Sequence, residues 1–191
     1  MELNGYKAFH KGLTNRYGKQ FEEGQTYENS ESPVFGNHGR GYHFCERLED
    51  TLRYFPNSEE EIDIAEVTAL GDLAEGEDEY DGYYDMYSTN KIRIDKVLTR
   101  EEIIEMFLKM EPCSRVFRFI NCFELDEAEI DSFYKVMVED QPKTIKVYTE
   151  KGIEYEYVFI IDLIRKKLLQ LKENIKNKKI IDINKQKLKT K

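Results

Sequence analysis

The chain is poor in the residues that build disulfide frameworks and membrane spans. Its three cysteines, Cys45, Cys113 and Cys122, are odd in number and widely spaced, which favours reduced thiols over a disulfide framework. No apolar run reaches the roughly 18 residues of a membrane span. No basic segment followed by an apolar stretch marks a secretory signal near Met1. These absences predict a cytoplasmic protein without a membrane partner.

A second absence concerns phosphate chemistry. The sequence has no glycine-rich loop that ends in lysine and serine or threonine, the segment that cradles the phosphates in many nucleotide hydrolases. Nucleotide hydrolysis is therefore not expected. The lysine-rich C-terminus has no aromatic residue after Phe159, which argues against nucleic-acid binding there.

Charge is abundant but unevenly distributed. The 191 residues carry a net charge of −9. Up to Met110, 24 acidic and 12 basic residues give −12, whereas from Glu111 onward 14 acidic and 17 basic residues give +3. From Arg165 to the end there are 11 basic and 2 acidic residues. An acidic body with a basic tail predicts surfaces that interact with other molecules.

The most informative stretch runs from Gly39 to Phe55 and predicts a strand followed by a helix. Residues 42–45 are β-prone and follow a glycine. Alternation along this strand puts His43 and Cys45 on one side and two aromatic residues on the other. The helix carries its apolar face on Leu48, Leu52 and Phe55, and it brings Thr51 and Tyr54 back toward the strand.

Other elements follow from periodicity and capping residues. Strands are predicted at 6–9, 25–28, 62–71, 91–98 and 115–123, and a hairpin is predicted from 144–148 and 153–159. Helices are predicted at 101–110 behind a Thr99 capping box, after the N-cap Asp126, and at 160–175. The acidic stretch 72–85 is interpreted as a solvated loop.

These elements predict an α+β fold with a mixed, mainly antiparallel sheet. We divide the chain into a first domain at 1–110, an α+β extension at 112–176 and a basic tail at 177–191. A unit as short as the extension would be marginally stable alone. We therefore expect it to pack against the first domain or against another copy of the chain, and the whole chain to melt in one transition.

Two resemblances follow from the motifs. Tyr6-Lys7-Ala8-Phe9, Gly41-Tyr42-His43-Phe44-Cys45 with Tyr54, Ala65-Glu66-Val67 with Ala69-Leu70-Gly71, and Asn90-Lys91-Ile92 are similar to a family of uncharacterised domains in phage and bacterial proteins. This resemblance covers roughly the first hundred residues. The same region resembles, more distantly, the catalytic domain of the poly(ADP-ribose) polymerase clade of ADP-ribosyltransferases.

In that clade, a glycine–apolar–tyrosine–phenylalanine strand and a second tyrosine eleven residues after the first enclose the nicotinamide ring of NAD. Gly41, Phe44 and Tyr54 match at that spacing, while His43 stands in place of the first tyrosine. Phe9-His10 resembles the aromatic–histidine pair whose histidine binds the ribose. The resemblance thus implies an NAD-binding, ADP-ribosyltransferase-like domain. Its cofactor-binding residues would be His10, Gly41, His43, Thr51 and Tyr54.

The main departure from the clade is at its catalytic glutamate, which aligns with Tyr83. His43 and Tyr83 are therefore the residues at the catalytic positions, and tyrosine cannot act as a carboxylate. Glu66, Asp81 and Asp85 are nearby in sequence, but none matches the motif. Members of the clade that lack the glutamate are mono-transferases or inactive binders.

Several readings of these residues compete. His43 is equally well explained as a partly buried histidine bonded to a backbone carbonyl. Zinc binding by His38, His43 and Cys45 lacks the paired spacing of known zinc sites, so no metal is expected. Cys45 would be a nucleophile only if a cation such as Arg40 or Arg47 lowered its pKa.

Two functions remain open at this point. The first is binding of NAD or a related nucleotide, with or without ADP-ribosyl transfer to a host factor. The second is a non-enzymatic acidic protein, for example of phage origin, that inhibits a host defence complex by mimicking nucleic acid. The partner is a nucleotide in the first case and a host protein in the second, and a homo-oligomer is compatible with both.

Overall fold

The computed structural model describes residues 2–36, 39–55, 62–76, 86–140 and 154–189, with the backbone alone at Tyr54, 154–159, 184 and 186–189. The chain divides into two compact units, Met1–Ile103 and Ile104–Lys191. The first contains a β-sheet, and the described residues of the second are helices and the segments that join them. The predicted α+β class is confirmed.

The first unit is built on a seven-stranded sheet in which every pair of neighbouring strands is antiparallel. The strand order is β2-β7-β4-β1-β3-β6-β5. The strands are β1 (Leu3–His10), β2 (Thr26–Glu28), β3 (Tyr42–Cys45), β4 (Ile62–Ala69), β5 (Leu73–Gly76), β6 (Met86–Thr89) and β7 (Lys91–Val97).

β1 lies in the middle of the sheet and pairs with β4 along all eight of its residues, from Leu3 opposite Ala69 to His10 opposite Ile62. Its alternation puts Phe9 on a buried face, together with alternate residues of the neighbouring strands. That face contributes to a hydrophobic core cluster of the unit, which consists of Phe9, Phe21, Phe44, Ala65, Val67, Ala69, Ile92 and Ile94.

Part of this core face is covered by the segment between β1 and β2. Its Phe21 is fully buried, and the ring centroid lies 5.2 Å from that of Phe9. The start of the segment is fixed by Asp63 of β4, whose carboxylate accepts hydrogen bonds from the backbone amides of Gly12 (2.6 Å) and Leu13 (3.0 Å). This anchoring determines where the segment places Arg16 and Lys19.

The predicted strand–helix unit is confirmed. β3 is followed by α1 (Leu48–Thr51) and a 3₁₀ turn (Leu52–Tyr54). Leu48 and Leu52 are buried, and α1 packs against β1 and β3. The four-residue spacing of the two leucines gives the short helix its single apolar face.

The helices at the end of the first unit and in the second are α2 (Arg100–Leu108), α3 (Ser114–Cys122), α4 (Glu127–Tyr134) and α5 (Glu154–Lys189), and a π-turn (Lys135–Glu139) follows α4. The predicted capping box from Thr99 to Glu102 is present, and the predicted N-cap Asp126 forms a second capping box with Glu129. The aromatic core of the second unit includes Phe107 and Phe119, whose rings stack at a centroid distance of 3.9 Å.

Three predicted elements differ from the structure. Residues 115–123 are not a strand but lie in α3, because Val116, Phe119 and Ile120 recur at helical spacing and are buried on one face. The predicted strand at 153–159 is helical from Glu154 onward, while 144–148 lies outside the described residues. The acidic stretch interpreted as a loop contains β5, which pairs with β6.

The C-terminal helix is also longer than predicted. α5 continues through the basic tail to Lys189 instead of ending at residue 175. Lysine, glutamine and leucine have good helix propensity, so the tail extends an existing helix at little cost. Among the described helices, none combines the length and the apolar character needed to cross a membrane.

Candidate functional site

The candidate site begins where β1 and β3 diverge. Their described backbones share one pair, Tyr6 opposite Cys45, whereas β1 pairs fully with β4 on its other side. The side chain of Lys7 fills this opening, and its Nζ donates a hydrogen bond of 2.5 Å to the backbone carbonyl of His43. A lysine ammonium is thus held in the middle of the sheet by a backbone oxygen.

Burial changes the acid–base behaviour of Lys7. The pKa of Lys7 is lowered to about 8. Desolvation is the largest cause, and the nearby charge of Arg16 acts in the same direction. An amine with this pKa exchanges its proton close to neutral pH. Lys7 is therefore poised to bind an anion as an ammonium and to lose the proton under mildly alkaline conditions.

The imidazole of His43 is kept neutral by the same surroundings. Burial lowers its pKa to about 4, and the charges of Lys7 and Arg16 act in the same direction. Its ring centroid is 5.2 Å from that of Phe35. Its Nε2 is buried without a hydrogen-bond partner in the described part of the chain.

Lys19 adds a second ammonium group against the core aromatic rings. Its Nζ lies 5.2 Å from the ring centroid of Phe21, 5.0 Å from that of Tyr27 and 4.9 Å from that of Tyr42. It also donates a 3.1 Å hydrogen bond to the Tyr42 hydroxyl. Cation–π attraction to three rings holds this charge at the edge of the core.

Lys7, Arg16 and Lys19 together form what we call the basic cluster. Lys7 Nζ lies 5.4 Å from the centroid of the Phe9 ring, and Phe9 packs directly on Phe21, which Lys19 contacts. The Arg16 guanidinium lies over the Tyr17 ring at 4.7 Å and acts electrostatically on both Lys7 and His43. Three cations on aromatic surface suit a ligand that combines negative charge with a planar ring.

Comparison with known proteins gives the family but no activity. A family profile described as Domain of unknown function (DUF7666) matches residues 3–106. The chain belongs to the DUF7666 family. Neither a curated protein nor a solved structure matches it. The expected similarity to an uncharacterised family is confirmed. The family profile covers β1 to β7 and therefore every residue of the basic cluster.

In the DUF7666 domain, the predicted cofactor-binding residues each have their own set of contacts. His10 ends β1, and its ring meets that of Phe55 edge-on at 5.1 Å. Thr51 is buried, and its hydroxyl donates a 2.7 Å hydrogen bond to the Leu48 carbonyl of its own helix. Tyr54 lies in the 3₁₀ turn, and only its backbone is described.

Gly41 is explained by backbone packing. Its φ of +102° lies in a region that favours glycine, and a Cβ there would lie 2.7 Å from both Ser88 Oγ and Thr89 O. A second glycine, Gly39, lies directly over His43, since its Cβ would be 2.8 Å from His43 Nε2. Together with Phe35, this backbone covers the imidazole.

The residues considered for catalysis are only partly within the described chain. Tyr83, Asp81, Asp85 and His38 lie outside the described residues. Glu66 lies on β4, where its charge contributes to the raised pKa of Tyr6 after the larger effect of burial. The described part of the chain holds no group of three or more metal-ligating side chains.

Cys45 does not meet the condition for a nucleophile. The pKa of its thiol is raised to about 12. Burial is the largest cause, and the negative charge of Asp50 acts in the same direction. The thiol is therefore protonated at neutral pH. Arg40, one of the cations considered as its activator, instead pairs with Glu31 at 3.5 Å.

The basic cluster was missed by the sequence reasoning. One signal for Lys7 was present, because period-two alternation puts it on the same face of β1 as the buried Phe9. A charged residue on the apolar face of a central strand is unusual and indicates a functional or packing role. Arg16 and Lys19 lie in a loop, and no sequence pattern indicates that this loop folds back onto β1.

Proposed function

We propose that the DUF7666 domain binds a nucleotide, NAD or a chemically related dinucleotide, through the basic cluster. The observation that carries the proposal is that Lys7 and Lys19 lie against the packed rings of Phe9 and Phe21, and that the charge of Arg16 acts on Lys7, in a region whose net charge is strongly negative. Positive charge gathered within an acidic region favours the binding of an anion there.

The basic cluster would bind the phosphates, and each residue would contribute differently. Arg16 offers a planar, permanently charged donor for two phosphate oxygens. Lys7 and Lys19 supply ammonium groups whose positions are already fixed by the His43 carbonyl and by the Tyr42 hydroxyl. Preorganised donors lose little conformational entropy on binding.

The resemblance to ADP-ribosyltransferases supports NAD as the first ligand to test, and the tyrosine at the catalytic glutamate position favours binding over transfer. In this proposal the covered imidazole of His43 stays neutral beside Lys7 and adds no positive charge at neutral pH.

The test is calorimetric titration of the full chain with NAD, ADP-ribose and nicotinamide. We expect NAD and ADP-ribose to bind and Lys7→Met or Arg16→Gln to weaken them by about 10-fold each, as expected for a lost charged hydrogen bond. Lys91→Gln is the matched control, because it removes one charge from β7, two strands away from β1. Equal affinities in all variants, or no heat with either phosphate-containing ligand, would overturn the proposal.

The second candidate function is inhibition of a host complex by the acidic surface. The −12 charge up to Met110 is the observation that favours it. Purification of the tagged chain from host lysate tests it, and a stoichiometric partner released by moderate salt is the expected result. A partner retained at high salt would argue against nucleic-acid mimicry.

A further inference from the structure

The long helix α5 has two apolar faces, and among the described residues only one of them packs against its own unit. Ile164 and Leu168 are fully buried, and Leu171 and Ile175 continue the same stripe at spacings of three and four residues. This stripe accounts for the packing of α5 on α3 and α4.

The three exposed isoleucines of the second apolar face lie beyond the end of the buried stripe. Ile180, Ile181 and Ile183 are 47, 52 and 50% exposed. Ile180 follows Ile164 by 16 residues, which at about 100° per residue places it about 160° around the helix from the buried stripe. Ile181 and Ile183 flank it on either side. These three residues, which we call the outer patch, therefore point away from the core of the unit.

Two ion pairs fix which side of α5 faces its neighbours. Lys172 Nζ is 2.6 Å from Asp131 Oδ1, and Lys179 Nζ is 2.5 Å from Glu127 Oε2, so both lysines are directed at α4. Apart from these two lysines, 9 basic and 2 acidic residues follow from Arg165 onward, so this part of the chain remains positively charged. The end of α5 is thus an amphipathic helix with an apolar patch and a basic surround.

The positive charge near the outer patch distinguishes between the possible partners that could cover it. A second copy of the same helix would bring two strongly positive segments together, and three half-exposed isoleucines offer far less than the roughly 800 Å² per partner of a stable interface. Nucleic acid would neutralise the lysines but leave the isoleucines in water. An anionic lipid surface satisfies both, since lysines meet the head groups while apolar side chains enter the acyl boundary.

We propose that the outer patch and the surrounding lysines dock the C-terminal end of α5 onto an anionic lipid surface. The helix would lie in the plane of the interface, which requires neither the length nor the continuous apolar sequence of a spanning segment. This goes beyond the nucleotide proposal and does not depend on it. It differs from the expectation of no membrane partner, which rests on the lack of a spanning segment.

The experiment is co-sedimentation of the full chain with vesicles of phosphatidylcholine alone and of phosphatidylcholine mixed with phosphatidylserine, at low and high salt. One variant, I180S/I181S/I183S, removes the apolar patch and keeps the charge. Another, K178Q/K185Q, removes two charges and keeps the patch. The control V34S/L73S removes two exposed apolar side chains from the first unit.

We expect binding to the anionic vesicles alone, weakened by salt. The isoleucine variant should bind about 100-fold more weakly and the lysine variant about 20-fold more weakly, while the control binds as the parent chain does. Circular dichroism should show that helix content is unchanged in each. Equal binding to both vesicle types, or binding to neither, would overturn the proposal. So would a dimer that the isoleucine variant dissociates in the absence of vesicle binding.

Discussion

Lys7 carries a positive charge on the apolar side of a central strand. The sheet tolerates it because β1 and β3 diverge there, and because the His43 carbonyl takes the place of water as a hydrogen-bond acceptor. The cost of burial appears as the lowered pKa of the amine. Burial of the Lys7 amine thus alters its acid–base behaviour.

We expect Lys7 to react with an acylating reagent at lower pH than an ordinary lysine. Its pKa is lowered to about 8, so half of the amine is unprotonated near that pH, whereas a free lysine requires about 10.4. Mass spectrometry of trace acetylation across a pH series measures this midpoint, and Lys7→Met confirms the assignment of the peptide. A midpoint near pH 10 would show that Lys7 is solvated.

His43 should make the first unit less stable in acid. Its pKa is lowered from 6.5 to about 4, so between these pH values the unfolded chain binds a proton that the folded chain does not. Stability is therefore lost as pH falls from about 6.5 to about 4. Urea unfolding at a series of pH values measures the slope.

The control for this prediction is His43→Gln, which keeps a polar side chain but cannot titrate. This variant should be less stable or equally stable at pH 7, with a shallower decline in acid. If both proteins decline in parallel, the acid sensitivity arises from other groups.

At the scale of elements, the ends of the helices are determined by local sequence. Asp126 accepts a hydrogen bond from the Glu129 amide at 2.8 Å, and Glu129 returns one to the Asp126 amide at 2.8 Å. The capping box at Thr99 and Glu102 has the same reciprocal pattern. The Thr99 capping box and the Asp126 N-cap were predicted because all the required atoms lie within four residues of one another.

We expect Asp126→Ala to lower the free energy of unfolding by about 1 kcal/mol, since the first-turn amides of α4 lose their side-chain acceptor. Asp126→Asn should retain most of the stability, because an amide oxygen also accepts this bond. Chemical denaturation of the three proteins makes the comparison. An Asn variant as unstable as the Ala variant would point to the charge of Asp126 as the important factor.

At the scale of the whole molecule, the boundary between the two units falls within α2, between Ile103 and Ile104. A fragment that begins at residue 104 loses the first turn of this helix and the Thr99–Glu102 capping box. We expect a fragment of 99–191 to be more stable than one of 104–191, by about 1–2 kcal/mol.

Thermal unfolding followed by circular dichroism tests the fragment prediction. Equal melting temperatures for the two fragments would show that α2 contributes nothing to the second unit. The intact chain remains predicted to unfold in a single transition, and calorimetry provides that measurement.

The sequence by itself determined those elements of the protein that depend only on short-range patterns. It determined β3, the leucine face of α1, the Thr99 capping box, the Asp126 N-cap and the strand alternation of β7, since each depends on residues within a few positions of one another. Helical spacing at Val116, Phe119 and Ile120 was also present, and reading 115–123 as a strand gave too much weight to β-prone aromatic residues.

Only the tertiary structure decided where charge and aromatic surface meet. Lys7, Arg16 and Lys19 come together because Asp63 holds the start of the loop from a strand about fifty residues away, and because β1 pairs with β3 at one point alone. Likewise, the close approach of β6 leaves no room for a side chain at Gly41. Long-range contacts of this kind leave no periodic trace in the sequence, since neither partner constrains the residues adjacent to the other.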